Sequence, residues 1–127
     1  MDILSLTFDS NEFRGIYTFR YCLGQITFEF KIHGKGTGMF GDGMAMWITK
    51  ERAQTGTVFG FKDQFEGLGV FIDTYKNGRA GVSFPYVMAM LGDGRTSYDA
   101  ENDGKANDIG GCSVIILRDV VNGRPVD

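Results

Sequence analysis

The chain has 127 residues, 43% hydrophobic and 23% charged, which is room for one folded domain and an ordinary globular composition rather than disorder. Glycine is the outlier: 19 glycines are twice the usual share of about 7%, and each one inside a helix costs about 1 kcal/mol relative to Ala, so a helical bundle is disfavoured. Thirteen Lys and Arg against sixteen Asp and Glu leave a net charge of −3, and no basic stripe interrupts the pattern, which argues against a nucleic-acid binder.

In chain order, the N-terminal MDILSLTFDSNEF carries Asp2, has no base before Arg14 and ends its apolar patch at Asp9. That is not the pattern of a secretory signal. Gln25–His33 is the clearest strand, with Ile26, Phe28, Phe30 and Ile32 on one face and Gln25, Thr27, Glu29, Lys31 and His33 on the other. His33, the only histidine, falls on the polar face and reads as a solvated strand residue. Residues 34–43 hold glycines at 34, 36, 38, 41 and 43 and read as loop and turn. Met44–Thr49 is apolar on both faces, as a central strand is; helical spacing of Met44, Trp47 and Ile48 also fits, but Gly41 and Gly43 before it and Lys50-Glu51-Arg52 after it favour the strand. A turn-rich stretch to Gly60 precedes a strand over Leu68–Lys76, with Asp73 set in an otherwise apolar run. Phe84–Leu91 is a further strand, with Pro85 tolerable at its start. This is also the longest apolar run, far short of the roughly 20 residues of a spanning helix. Cys112–Leu117 is the last candidate strand. The sum is an all-β chain of five or six strands, part of a sandwich.

Charge is concentrated. Segment 92–108 holds Asp93, Asp99, Glu101, Asp103 and Asp108 against Arg95 and Lys105, which equals the whole formal charge of the chain. A solvated loop and a cation site both fit. Cys22 and Cys112 allow one bridge at most, and neither has a partner at zinc spacing.

Three motifs fail on physical grounds. Gly36–Gly41 fits G-x-G-x-x-G, but a strand-like segment follows where a pyrophosphate site needs a helix N-terminus. Asp99–Gly104 opens like an EF-hand loop, but the twelfth position is Gly110 instead of a bidentate Glu. No nucleophile elbow or Ser/His/Asp arrangement is present. What remains is Asp73, Tyr75 and Asn77 at i, i+2 and i+4, which share a direction if the strand persists, and Asp103 as a possible second carboxylate. An oxygen-rich corner of this kind suits Ca²⁺, although Asp73 and Asn77 also suit a turn before Gly78.

The segments FKIHGKG (30–36), GDGMAMWITKERA (41–53), VFG (58–60), GLGVFIDTYKN (67–77), FPY (84–86), SYD (97–99), NDG (102–104) and GC (111–112) resemble, in order, the legume-like (L-type) lectins. These are intracellular mannose-binding receptors that carry glycoproteins between endoplasmic reticulum and Golgi. The resemblance spans about 26–113 and implies an antiparallel jelly-roll sandwich. It further implies Ca²⁺ held by the Asp73 carboxylate, the Tyr75 carbonyl, the Asn77 side chain and Asp103. Asp42, Tyr75 and Asn77 would then meet the sugar, with high-mannose N-glycans of glycoprotein cargo as partners in the lumen of the early secretory pathway.

This chain departs from the family where a sugar-touching histidine is usual, since Ala100 stands there. The family's Gly-rich sugar loop and the cysteine that pairs with the one matching Cys112 have no counterpart before Asp127. Residues 1–127 therefore read as a single, incomplete lectin-like domain. Two other readings stand beside a calcium-dependent lectin. One is a non-binding remnant of the fold. The other is a jelly-roll glycoside hydrolase, which the missing Glu-x-Asp-x-Glu run disfavours, so the expectation is a binding module and not an enzyme.

Overall fold

The computed structural model describes the backbone of residues 3–8, 18–22, 25–29, 41–52, 54–114, 120–121 and 124–125, and the side chains of 41–52 and 54–114. Among the described residues there are ten strands: β1 (Ile3–Phe8), β2 (Thr18–Cys22), β3 (Gln25–Glu29), β4 (Gly43–Thr49), β5 (Thr55–Val58), β6 (Glu66–Asp73), β7 (Tyr86–Asp93), β8 (Gly110–Ser113), β9 (Val120–Val121) and β10 (Arg124–Pro125). Five of them form one antiparallel sheet in the order β1-β4-β6-β7-β8, and β2-β3 and β9-β10 are separate two-stranded ribbons.

The strand count corrects the expected five or six. Leu4, Leu6 and Phe8 alternate with Ser5 and Thr7, a period-two signal that the N-terminal segment carried and that its shortness obscured. β5 is a four-residue TGTV, too short and too glycine-rich to be read as a strand without its partner; isolated bridges tie Thr55 and Val58 to Phe61. Of the strand expected over Gln25–His33, β3 covers Gln25–Glu29 and the remainder lies outside the described residues, as does His33. β8 covers Gly110–Ser113 instead of starting at Cys112; residues 115–117 lie outside the described set.

The central strands are apolar on both faces because both faces are covered to some degree. On one face the register aligns Ala45 with Phe71 and Met88, Trp47 with Gly69 and Met90, and Gly43 with Asp73 and Tyr86. Over this face folds the segment that carries Val58, Phe59, Phe61 and Phe65. Trp47, fully buried, stacks on Phe61 at 4.5 Å between ring centroids and takes the edges of Phe65 and Phe71 at 4.8 and 5.2 Å. Such offset and edge-on pairs add about 0.5–1.5 kcal/mol each beyond burial. Asp73 sits two residues from Phe71, on the same face, at the edge of the aromatic block.

Candidate functional site

The strand expected over Leu68–Lys76 ends at Asp73. Asp73, Tyr75 and Asn77 consequently do not share a sheet face: Asp73 is buried, while Tyr75 and Asn77 are exposed on the loop beyond it. The reason lies in the competing acceptors. The Thr74 N–H donates to the Asp42 carbonyl (2.8 Å), and the Tyr75 N–H turns back to Asp73 Oδ1 (3.0 Å). Asn77, Gly78 and Arg79 then point their N–H groups at the carboxylate of Asp103, at 2.9 to 3.0 Å. A carboxylate that accepts several backbone N–H groups replaces a ladder partner, so the chain leaves the sheet.

Asp103 is brought from the acidic segment by tertiary structure alone. It lies between two short 3-10 turns, Ala100–Asn102 and Lys105–Asn107, in a left-handed conformation (φ 50°), and is 2% exposed. Asp99 closes this loop from within: its carbonyl accepts the Gly104 N–H, and its carboxylate accepts from Ala106 N–H and Asn102 Nδ2. The approach of the two loops requires a residue without a side chain at position 78, because a Cβ there would run into the Glu101 carbonyl oxygen. Position 41 has the same demand, since a Cβ would lie 2.9 Å from that of Tyr75. Asp42 follows it, joined by a cis peptide, with its side chain exposed and its carbonyl also accepting the Thr74 hydroxyl (3.1 Å).

The resulting corner has two levels. Below lie two buried carboxylates, Asp73 and Asp103; above lie exposed Asp42, Tyr75 and Asn77. Burial, then the charges of Asp103 and Asp42, push the Asp73 carboxyl up to about 7, against the single opposing Tyr75 amide. Burial and the same two buried acids also push the Tyr98 phenol up, so it stays protonated beside them. Of the Asp73 carboxylate, Oδ1 accepts the Tyr75 N–H. Among the described residues no three His, Cys, Asp or Glu side chains gather as a metal cluster. The donor set is instead two carboxylates with amide and carbonyl oxygens around them, a set that fits a hard dication and does not fit zinc. Such a cation would remove the repulsion and the burial cost that hold Asp73 near neutrality.

Reading the sequence missed a second layer. Arg79 is buried, and its Nη2 donates to Asp108 Oδ2 at 2.7 Å. The Tyr86 hydroxyl donates to the same oxygen (3.0 Å), and the Arg79 guanidinium lies over the Tyr86 ring, 4.5 Å from its centroid. In Gly-Arg-Ala-Gly, Arg79 reads as a solvated loop residue, and no local pattern marks it otherwise. Cys112 carries a free, exposed thiol.

Comparison with known proteins matches this chain to the legume-like lectin family over residues 18–123. An L-type lectin-like domain-containing protein of Schizosaccharomyces pombe is 53% identical over 94 residues, covering 74% of this chain and 30% of that protein. The human VIP36-like protein is 48% identical over 95 residues, 72% of this chain and 27% of its own length. Among solved structures, the Ca²⁺-bound exoplasmic/lumenal domain of VIP36 superposes with a TM-score of 0.66 at 42% identity, over 71% of this chain and 38% of that one. Its Ca²⁺/mannose-bound form gives 0.64, over 68% and 36%. The chain thus spans under a third of the length of these curated relatives. The family match covers most of the chain, residues 18–123, and the chain belongs to the legume-like lectin family.

Proposed function

We propose that this chain is a calcium-dependent carbohydrate-binding module for mannose-rich N-glycans and not an enzyme. The observation that carries this reading is the two-level corner. Asp73 and Asp103 place two buried carboxyl groups at the end of β6, and Asp42, Tyr75 and Asn77 stand exposed on the adjoining loops. The solved relatives with Ca²⁺ and with mannose bound support the same assignment. Asp73 and Asp103, with the Tyr75 carbonyl and the Asn77 side-chain oxygen, would hold the ion. Bound there, the cation supplies fixed positive charge that ties the 73–79 loop to the 99–108 loop.

The remaining chemistry belongs to the protein. Asp42 offers carboxylate oxygens as acceptors for sugar hydroxyls. Asn77, with its carbonyl oxygen turned to the ion, leaves its NH₂ to donate. The Tyr75 ring, 37% exposed, presents a flat surface to the apolar face of a hexose. Because these groups are placed before the ligand arrives, little ordering cost remains at binding. Ala100, exposed in the first 3-10 turn, contributes no polar contact where the family usually has a histidine. Affinity for a single mannose is therefore weak. By the same family resemblance we place the protein in the lumen of the early secretory pathway; among the described residues no helix is long and apolar enough to cross a membrane.

Calorimetric titration tests the reading: Ca²⁺ uptake near neutral pH, followed by mannoside binding only in its presence. Ca²⁺ uptake without any sugar binding would point to a remnant that keeps the ion and has lost the ligand. Release of reducing sugar from a mannoside would instead revive the hydrolase reading.

A further inference from the structure

We propose that Arg79 and Asp108 form a clamp that holds the Asp103 loop against the 77–79 turn before any cation arrives, so that Arg79 is a positioning residue for the cation site. The proposal rests on the calcium reading above and adds to it a part that touches neither ion nor sugar.

One residue joins both ends of the loop. The Arg79 N–H donates to Asp103 Oδ2 (2.9 Å), and its guanidinium reaches Asp108 Oδ2 (2.7 Å), five residues further on. Both side chains of the ion pair are only 10% exposed. The far end is anchored twice more, since Asp108 Oδ1 accepts the Gly110 N–H at the start of β8 (2.7 Å) and Oδ2 accepts the Tyr86 hydroxyl. Tyr86 opens β7 and is the register partner of Asp73 itself. The clamp therefore ties the two loops to the strand beside the first carboxylate. Burial raises the Asp108 carboxyl, yet the Arg79 hydrogen bond, the Gly110 amide and the Tyr86 hydroxyl outweigh it and keep the group ionised.

The arrangement has an unfavourable side that makes it testable. A guanidinium this close to Asp103 repels an incoming dication, and removing it frees the negative charge of Asp108. If charge alone mattered, Arg79→Met would raise calcium affinity. If the clamp matters, affinity falls, because the carboxylate is no longer held in place. Lys keeps the charge but lacks the planar fork and the stack on Tyr86, so Arg79→Lys does not restore binding.

The experiment uses the whole chain with Arg79→Met, Arg79→Lys and the milder Asp108→Asn. Amide hydrogen exchange is followed without metal, and Ca²⁺ affinity is then measured by calorimetry. Arg79→Met and Asp108→Asn are expected to lower protection of the Asn77 and Gly78 amides roughly tenfold to a hundredfold, as loss of a charged hydrogen bond implies. Amides of Met88–Met90 in β7 keep theirs. Ca²⁺ affinity in Arg79→Met and Arg79→Lys is expected to drop by about tenfold or more. Unchanged protection at 77–78, a rise in Ca²⁺ affinity in Arg79→Met, or full rescue by Lys would each overturn the clamp. If the unsubstituted chain takes up no Ca²⁺ while protection still falls in the variants, the calcium reading fails and the loop lock stands.

Discussion

Asp73 and Asp103 are both almost fully buried, yet their surroundings differ in kind. Asp103 is held by three backbone donors, whereas Asp73 receives one and faces two like charges. The two therefore respond differently to substitution. Asp103→Ala leaves three N–H groups without their acceptor and is expected to cost about 3–5 kcal/mol of stability along with Ca²⁺ binding. Asp73→Asn is likewise expected to abolish the proposed Ca²⁺ binding but keeps the Tyr75 acceptor, and it removes a charge that the fold disfavours. The sign follows from a folded-state value of about 7 against the ordinary 3.8. The protonated form is favoured in the folded state. Metal-free stability is fully present below about 3.8, falls as pH rises towards 7, and levels off above it. We expect a loss on the order of 3–4 kcal/mol over that window in urea unfolding without metal. Asp73→Asn should abolish the slope and be the more stable chain at pH 8. Ca²⁺ affinity should also weaken about tenfold per pH unit below 7, as the ion displaces the Asp73 proton. A flat pH profile in the metal-free wild type would contradict this account.

At the scale of elements, β6 delivers the site by stopping where it does. Its last residue pairs with Gly43 and Tyr86, and the turn beyond it is closed by loop carboxylates instead of a neighbouring strand. Gly78 is the point at which the two loops touch, so Gly78→Ala should separate them by steric pressure on the Glu101 carbonyl. The expected cost is about 1–3 kcal/mol, with a parallel loss of Ca²⁺ affinity, read by denaturant unfolding and calorimetry on the same variant. The aromatic block is the other element-scale determinant. Trp47 contacts Phe61, Phe65 and Phe71, so Trp47→Ala should cost about 3–5 kcal/mol. Retained thermal stability in that variant would mean that the block is not the core.

The whole molecule shows an asymmetry between the two faces of its main sheet. One face is sealed by the aromatic segment, whereas on the other Met46, Ile48, Leu68, Val70, Val87 and Ala89 are only partly buried and Leu91 is 67% exposed. A contiguous apolar face of this sort favours association. The 127-residue chain is accordingly expected to bind a hydrophobic dye and to self-associate at micromolar concentration, measured by fluorescence and light scattering. A monomer that melts sharply and reversibly without dye binding would count against this. The proposed glycan binding belongs to the same scale, because its residues come from loops on separate strands. Asp42→Ala or Asn77→Ala should remove Ca²⁺-dependent mannose binding, and Ala100→His should strengthen it by about tenfold if the histidine supplies one further hydrogen bond.

Local composition was enough to recognise β4, the apolar body of β6, and β7, because short apolar, β-branched and aromatic runs bounded by glycine and charged residues survive in the sequence whatever the partners are. The ordered short motifs were enough to identify the family, and the residue types Asp73, Tyr75, Asn77 and Asp103 already indicated oxygen chemistry. What the sequence could not determine was set by register. Nothing near position 103 says that its carboxylate will receive the amides of 77–79, and nothing near 79 says that its guanidinium will be buried on Asp108 and Tyr86. The contacts to Asp103 and Asp108 join residues 22 to 29 positions apart, and they form only once β6, β7 and β8 have paired in one alignment. The end of β6 belongs to the same class, because strand propensity continues through Tyr75 while the acceptors that divert the backbone come from elsewhere in the chain.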